Sequence, residues 1–519
     1  MKTKQLFKSQ LFSLAALFSM ALAAISCANE DIAQNGKTGE NGKGFATFVA
    51  DAPTQTRTSI DYATGNFYWE EGDKIYVKDD DGTMQVSNAV DAAHAHSASF
   101  KFKVPGKFEN SATYKVYYLG KNGGGNQVTI PTAQTQTTPN TTDHLGDSGD
   151  YGTATATGTL GGSIFSFQLE HQPAYLVFQP YTSNTVLQSC YLTRVEVTSD
   201  NDITHTYTLD PTTGELTGTG SGKQVILTTK GSGAYVNGFP LNTTSASVAT
   251  NGAYMVIKPG THILRVRYWI KDVVTNVEGT ITKNLTSFTY AKNTYYDMKT
   301  DLDVKNYDGD HYYMWDAQDQ YWYNWEWSKN LPGGQPTLRG QSSSNIPQNN
   351  TDSRWFHEGG GSGRLDATNS CTICPNANEM VWYAQKGDPR WDEDGLWTTM
   401  GHLYKGGMWF KKKSQISGFN ANTAPDGTDW RVTGATYSNS SVSSVLPSST
   451  DIGNYFYLPA LGYYYLSGTL TNIGVNGDYW SSSATSWWNY YAHHLTFSPG
   501  HIQVGFGFRN YAARAQAFE

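Results

Sequence analysis

The chain has 519 residues, a formal net charge of -8 and only 16% charged side chains. That length exceeds what a single hydrophobic core serves, so two or three domains are expected. The acidic balance, with no basic stripe to neutralise phosphates, excludes a nucleic-acid binder. The longest basic run, Lys411 to Lys413, follows the apolar Gly407–Phe410 stretch and reads as a solvated gatekeeper. Gly, Thr, Ser, Asn and Tyr are plentiful, the palette of β-sheet proteins that work outside the cell.

In chain order, residues 1–26 come first. Lys2, Lys4 and Lys8 precede an apolar Leu11–Ile25 segment that is too short to span a membrane, which is the pattern of a signal peptide. Ala24-Ile25-Ser26-Cys27 resembles the lipobox of bacterial lipoproteins. That resemblance implies cleavage before Cys27, acylation of its thiol and new amine (palmitate among the acyl groups), and an outer-membrane anchor. The alternative is an ordinary secretory signal with an unrelated cysteine. Glu30-Asp31 resembles the acidic tag of surface-exposed Bacteroidetes lipoproteins. Residues 27–43 are polar and Gly-containing, suited to a flexible tether.

Residues 44–303 read as strand after short strand. The runs are Gly44–Ala50, Lys74–Lys78, Ala112–Leu119, Ala174–Gln179, Thr193–Thr198, Tyr254–Ile257 and Ile263–Ile270, separated by turn signals such as Asp81-Gly82 and Pro259-Gly260. No long helical period interrupts them, and this spacing predicts β-sandwiches. The block is large for one sandwich and is divided near Gly162, into 44–162 and 163–303. Arg57-Thr-Ser-Ile-Asp61, then Asn66-Phe-Tyr-Trp-Glu-Glu-Gly-Asp-Lys-Ile-Tyr-Val77, and later Gln168-Leu-Glu-His-Gln-Pro-Ala-Tyr-Leu-Val-Phe178, resemble the fimbrillin-like proteins of Bacteroidetes. The resemblance implies two tandem transthyretin-like β-sandwiches. It also implies polymerisation with other fimbrillin subunits: a trypsin-like protease cuts after Arg57, the first strand leaves, and a neighbour's donor strand fills the groove. The physics of that exchange is edge-strand chemistry, in which an incoming backbone satisfies exposed N–H and C=O groups. Taken alone, Arg57 also fits an ordinary exposed loop arginine.

Residues 304–519 change composition sharply, holding thirteen of the fifteen tryptophans. A loop-rich domain needs large rings to fill its core, so most of these are expected to be structural. Asn376–Gln385 predicts a helix, with Met380, Val381 and Ala384 at helical spacing and Pro375 at its start. Cys371 and Cys374 form a C-x-x-C that, in an exported chain, is expected to be a local disulfide rather than a zinc site. Cys190 is expected to be a buried apolar residue. Cys371–Tyr383, Gly406–Lys413, Tyr457–Tyr463, Gly477–Ser483 and the tail Ala492…Arg509 together resemble a bacterial branch of the C-type-lectin-like fold. That branch is seen in the Fibrobacter succinogenes major paralogous domain and in variable proteins of diversity-generating retroelements. The overall fold class expected is therefore mainly β, two sandwiches followed by a C-type-lectin-like α+β domain. The resemblance places ligand-binding residues at Ser486, Trp487, Trp488, Asn489, Tyr490, Tyr491, His493, His494, His501, Asn510 and Tyr511. The chain departs from the branch at Ala512-Ala-Arg-Ala-Gln-Ala517 and at Trp487-Trp488, a tryptophan pair that adenine-driven diversification does not reach from Asn or Tyr codons.

The calcium-coordinating loop motifs of sugar-reading lectins are missing, and Asp392-Glu393-Asp394 reads as a solvated turn, so no metal and no cofactor are expected. No catalytic motif occurs, and an enzyme is not expected. The reading is a cell-surface fimbrial tip adhesin that accepts a donor strand in front and grips an extracellular glycan or protein with its C-terminal domain. The alternative is a surface lipoprotein that never polymerises and acts as a receptor through the same domain.

Overall fold

The computed structural model describes residues 2–5, 44–50, 59–60, 62, 67–124, 126–210, 216–218 and 222–519. Cys27 and Arg57 lie outside the described residues, as do most of the expected signal peptide and tether. The fold is mainly β, in a series of sheets with three short α-helices among the described residues.

The first sheet runs Met84–Val86, Tyr76–Lys78, Thr113–Tyr118, Gly152–Gly158, Ile164–Phe167, Phe45–Ala50, Phe100–Pro105, and wraps its own apolar core. Phe45–Ala50 is an inner strand. It pairs parallel with Ile164–Phe167 on one side and antiparallel with Phe100–Pro105 on the other. Its alternation drives Ala46, Phe48 and Ala50 inward, and Phe48 stacks on Phe165 at 5.2 Å. Because Ile164–Phe167 belongs to this sheet, the sheet boundary falls after His171 rather than at Gly162.

A second unit is a true two-layer sandwich. One layer orders Thr294–Asp301, Ala174–Tyr181 and Ala253–Ile257, with Lys2–Gln5 of the expected signal peptide paired along its Thr294–Asp297 edge, an edge that removal of the peptide would leave open. The other centres on Gln224–Thr228, Tyr191–Ser199, Leu264–Lys271 and Glu278–Asn284. Leu176, Phe178, Met255 and Ile257 face the second layer. Tyr175, Val177, Tyr254 and Val256 face back onto Tyr117, Leu119, Val128 and Ile130 of the first unit. A strand buried on both faces reads as a continuous apolar run, which is why Ala174-Tyr-Leu-Val-Phe178 does not alternate.

Among the described residues the third unit has two larger sheets and a two-stranded ribbon, Tyr463–Tyr464 with Leu470–Thr471. The first orders Lys305–Tyr307, Arg390–Thr399, His402–Lys411 and Tyr455–Pro459. The second orders Tyr312–Tyr313, Ala513–Arg514, Gly477–Ala484, Tyr491–Ser498, His501–Phe508 and Tyr437–Asn439. The helix Ala377–Lys386 opens with a capping box in which Asn376 and Glu379 satisfy each other's backbone N–H groups, so Pro375 precedes the cap instead of starting the helix. Met380, Val381, Tyr383 and Ala384 pack onto Leu495, Ile502 and Val504 of the second sheet. Residues 512–519 are tied into this unit: Ala513–Arg514 is paired, and Phe518 lies within 6 Å of Tyr383, Phe456 and Tyr479.

The third unit docks on the second through Leu403, at the start of the His402–Lys411 strand just after the Met400–Gly401 turn. Leu403 is fully buried and belongs to the core of the sandwich. Its N–H donates to Asp272 Oδ2 at 3.0 Å, and its carbonyl accepts from Thr275 Oγ1 at 3.0 Å. Next to it Leu396 lies so close to Gly279 that a Cβ there would come within 2.6 Å of Leu396 Cδ2. Burial pushes the Asp272 carboxyl up, but hydrogen bonds from His402 and from the N–H groups of Leu403 and Val274 outweigh it and hold the group at about 2. A carboxylate held below its ordinary value of about 3.9 stabilises the joint fully above that value and releases it as pH falls towards 2. Asp272→Asn is therefore expected to remove the acid dependence of docking between about pH 4 and pH 2, read as the radius of gyration by small-angle scattering. Leu403→Ala is expected to destabilise the second unit by roughly 2–5 kcal/mol, read by calorimetry.

Candidate functional site

The outer end of the Gly477–Ala484 and Tyr491–Ser498 hairpin carries the rings Trp487, Trp488 and Tyr490. They are 54%, 53% and 62% exposed, although side chains of this size are normally covered. Buried Thr485 closes the loop from inside: its hydroxyl donates to the carbonyls of Trp488 at 2.7 Å and Tyr491 at 3.1 Å. Ser486 Oγ donates to the Val432 carbonyl at 3.1 Å. Arg509 is fully buried and braces the other side. Its Nε donates to the Tyr491 carbonyl at 2.9 Å, its Nη1 to the carbonyls of His357 and Gly359, and its guanidinium sits 4.6 Å over Trp315. Burial lowers its pKa to about 10, so it stays charged at neutral pH. Trp487 lies flat over Gly434, where φ is 60° and an added Cβ would come within 1.9 Å of the indole. The loop is thus held open-faced by buried polar contacts, and little is left to order on binding.

From this loop an aromatic strip runs across the sheet. Trp488 meets Tyr491 and Phe506, each at 5.7 Å; Tyr491 meets Phe508 at 4.5 Å; Phe508 meets Tyr511 at 5.3 Å; and Tyr511 meets Tyr465 at 4.9 Å. Asn489, also exposed, lies in the same loop. The strip therefore unites Trp487, Trp488, Asn489, Tyr490, Tyr491 and Tyr511 of the expected residues, and adds Phe506, Phe508 and Tyr465, which the sequence reading missed. The signal was present in Ile502-x-Val-x-Phe-x-Phe508. Alternation puts all four on one face; the helix covers Ile502 and Val504, while Phe506 and Phe508 run beyond it.

Five expected residues do not belong to this surface. Ser486 is buried and spends its hydroxyl on the loop. His493 shares its sheet face with Tyr491 and Phe506 but lies further along the strand and is fully buried, with Phe506 at 5.1 Å. His494 is half-buried and bonded to Asp478 at 3.0 Å. Asn510 is half-buried. His501 contacts Ser438 at 3.0 Å and pairs with Ser498 at the hairpin's far end. Tyr491 pairs with Phe508, seven residues along the strand, so His501 lies roughly 23 Å from the loop. Cys371 and Cys374 are not bridged: both are buried thiols hydrogen-bonded to each other, and Cys371 Sγ also accepts from the Asp316 N–H at 3.2 Å. Burial pushes the Cys371 thiol well up, and Cys190, a buried core residue, is pushed up to about 12. Asp392 is buried and accepts from the N–H groups of Asp394 and Gly395, not from a solvated turn alone. Among the described residues no group of three or more His, Cys, Asp or Glu is placed to hold a metal ion.

Burial, with the neighbouring His494, lowers the His493 pKa to about 4. The unfolded chain, with an ordinary value near 6.5, then binds a proton that the folded one refuses, so stability is full above pH ~6.5 and falls down to pH ~4. His493→Phe is expected to remove a loss on the order of 3 kcal/mol across that window, read as the pH dependence of the third unit's melting temperature.

No family model and no curated protein matches the chain. Among solved structures, a candidate cell adhesion protein from Bacteroides uniformis is similar at 15% identity over 48% of this chain and 90% of its own, with a TM-score of 0.29. The fimbrial anchor protein Mfa2 from Porphyromonas gingivalis is similar at 14% identity over 47% of this chain and 82% of its own, TM-score 0.21. A fimbrial protein from Bacteroides ovatus is similar at 11% identity over 90% of this chain and 97% of its own, TM-score 0.22.

Proposed function

We propose that this protein is a cell-surface adhesin of the fimbrial kind, not an enzyme, whose C-terminal unit is a C-type-lectin-like domain that grips an extracellular glycan or protein through the aromatic strip. The observation that carries the reading is the loop 485–491, where buried Thr485 and Arg509 hold three large rings out in water. Exposing such rings forgoes burial worth roughly 1.5–3 kcal/mol for a large apolar side chain, a loss that contact with a partner recovers. Trp488→Ala and Tyr490→Ala are expected to reduce adhesion of cells displaying the protein at least about tenfold while leaving its melting temperature in place, measured by binding to host-cell and matrix surfaces.

Assembly by strand exchange is the second part of the proposal. The inner position of Phe45–Ala50 supports it: withdrawal of that strand would bare two ladders and the pocket that holds Phe48. Residues 512–519 are packed into their own domain and are not free to serve as a donor strand. Lipid anchoring at Cys27 and processing at Arg57 complete this reading. A trypsin-like protease is expected to cut the purified protein after Arg57, after which an added donor-strand peptide should be captured and raise the melting temperature. Cleavage without capture would favour the receptor that never polymerises.

A further inference from the structure

Beside the joint, away from the strip, the third unit carries an open groove of about 480 Å³, within the range of small-ligand sites. Its floor is aromatic and partly exposed: Tyr307, Trp409 and Tyr457, with Trp409 and Tyr457 at 5.1 Å and tilted by 53°. Its polar groups are Lys305, Asp392 and Gln516. None of the six is among the ligand-binding residues expected from the sequence.

Each group is set for recognition. Asp392 is 8% exposed; Oδ2 accepts from Trp409 Nε1 at 3.1 Å, and Oδ1 accepts from the Asp394 and Gly395 N–H groups. A carboxylate offers about four acceptor positions, so one remains for a ligand hydroxyl beside a ring whose orientation the carboxylate itself fixes. The Lys305 ammonium stands 4.8 Å over Tyr307 and brings donors to the rim. Charge in the groove is balanced: Lys305 offsets Asp392, and Glu519 at the edge pairs with Lys412 at 3.5 Å. Flat apolar ring faces bordered by hydroxyl, amide and carboxylate groups match a molecule with the same two-sided character, an apolar C–H face and a fringe of hydroxyls. We infer that this groove is a second binding site, which takes the ring face of a neutral oligosaccharide. It does not depend on what the strip binds.

The full chain would be titrated with maltotetraose, cellotetraose, mannotetraose and chitotetraose, with sialyllactose as the charged comparison, followed by tryptophan fluorescence and saturation-transfer NMR. At least one neutral tetraose is expected to bind. Trp409→Ala and Tyr457→Ala are expected to weaken it about tenfold or more, and Trp488→Ala in the strip to leave it unchanged. Should Trp409→Ala not fold, Lys305→Ala and Gln516→Ala on the exposed rim are each expected to weaken binding several-fold. The inference is overturned if no neutral sugar binds, if only sialyllactose does, or if affinity is indifferent to the groove variants and lost with Trp488→Ala. Failure of the strip reading would show instead as adhesion unchanged by Trp488→Ala and Tyr490→Ala.

Discussion

A leucine of one unit completes the core of another. Leu403, just past the Met400–Gly401 turn of the third unit, enters the hydrophobic core of the second sandwich, and has both backbone groups held by the 272–277 loop. The turn offers few alternatives, since burying Leu403 without those partners would strand a polar N–H and C=O in an apolar setting. Asp272 supplies the acceptor, and its own charge is tolerated because His402 and the N–H groups of Leu403 and Val274 surround it. The joint therefore behaves as packed interior, and the terminal unit is carried on the sandwich as a fixed head. Leu396, against Gly279, adds a second close approach a few residues away and forms one wall of the groove.

The same economy of buried polar groups shapes the binding loop. A hairpin end with two tryptophans and a tyrosine would fold over its rings if left to hydrophobic collapse. Here Thr485 and Arg509 occupy the loop's interior, so the rings have nowhere to go but outward. Arg509 is itself kept by the Trp315 face and three backbone carbonyls, an arrangement that suits a planar guanidinium and would not suit lysine. A ring array with fixed orientation binds with less entropy to lose than a mobile one.

At the front of the chain a different constraint operates. Phe45–Ala50 is bonded on both sides and contributes Phe48 to the core, so it is integral to the first sheet. Strand replacement in such a sheet is an exchange of like for like: one alternating backbone leaves and another with the same inward spacing restores ladders and core together.

Much of this was legible in the residues. Alternation located Phe45–Ala50, Thr113–Tyr118 and Leu264–Lys271 to within a residue or two, and the spacing of Met380, Val381 and Ala384 located the helix, because strand and helix periods are local properties of the chain. Among the many rings near the C-terminus, Trp487, Trp488 and Tyr490 stand more than half exposed. What local pattern did not determine was which rings face water. Ser486 and His493 share the composition of their exposed neighbours and are buried, while Phe506 and Phe508 look like core and join the strip, since that depends on where a helix some 120 residues earlier stops covering the sheet. The reach of Ile164–Phe167 into the first sheet, the unbridged Cys371 and Cys374, and a groove assembled from Lys305, Asp392, Trp409, Tyr457 and Gln516 are likewise products of long-range packing. Sequence spacing sets period and cap; burial and proximity are set by segments distant in the chain, and only the tertiary structure brings those together.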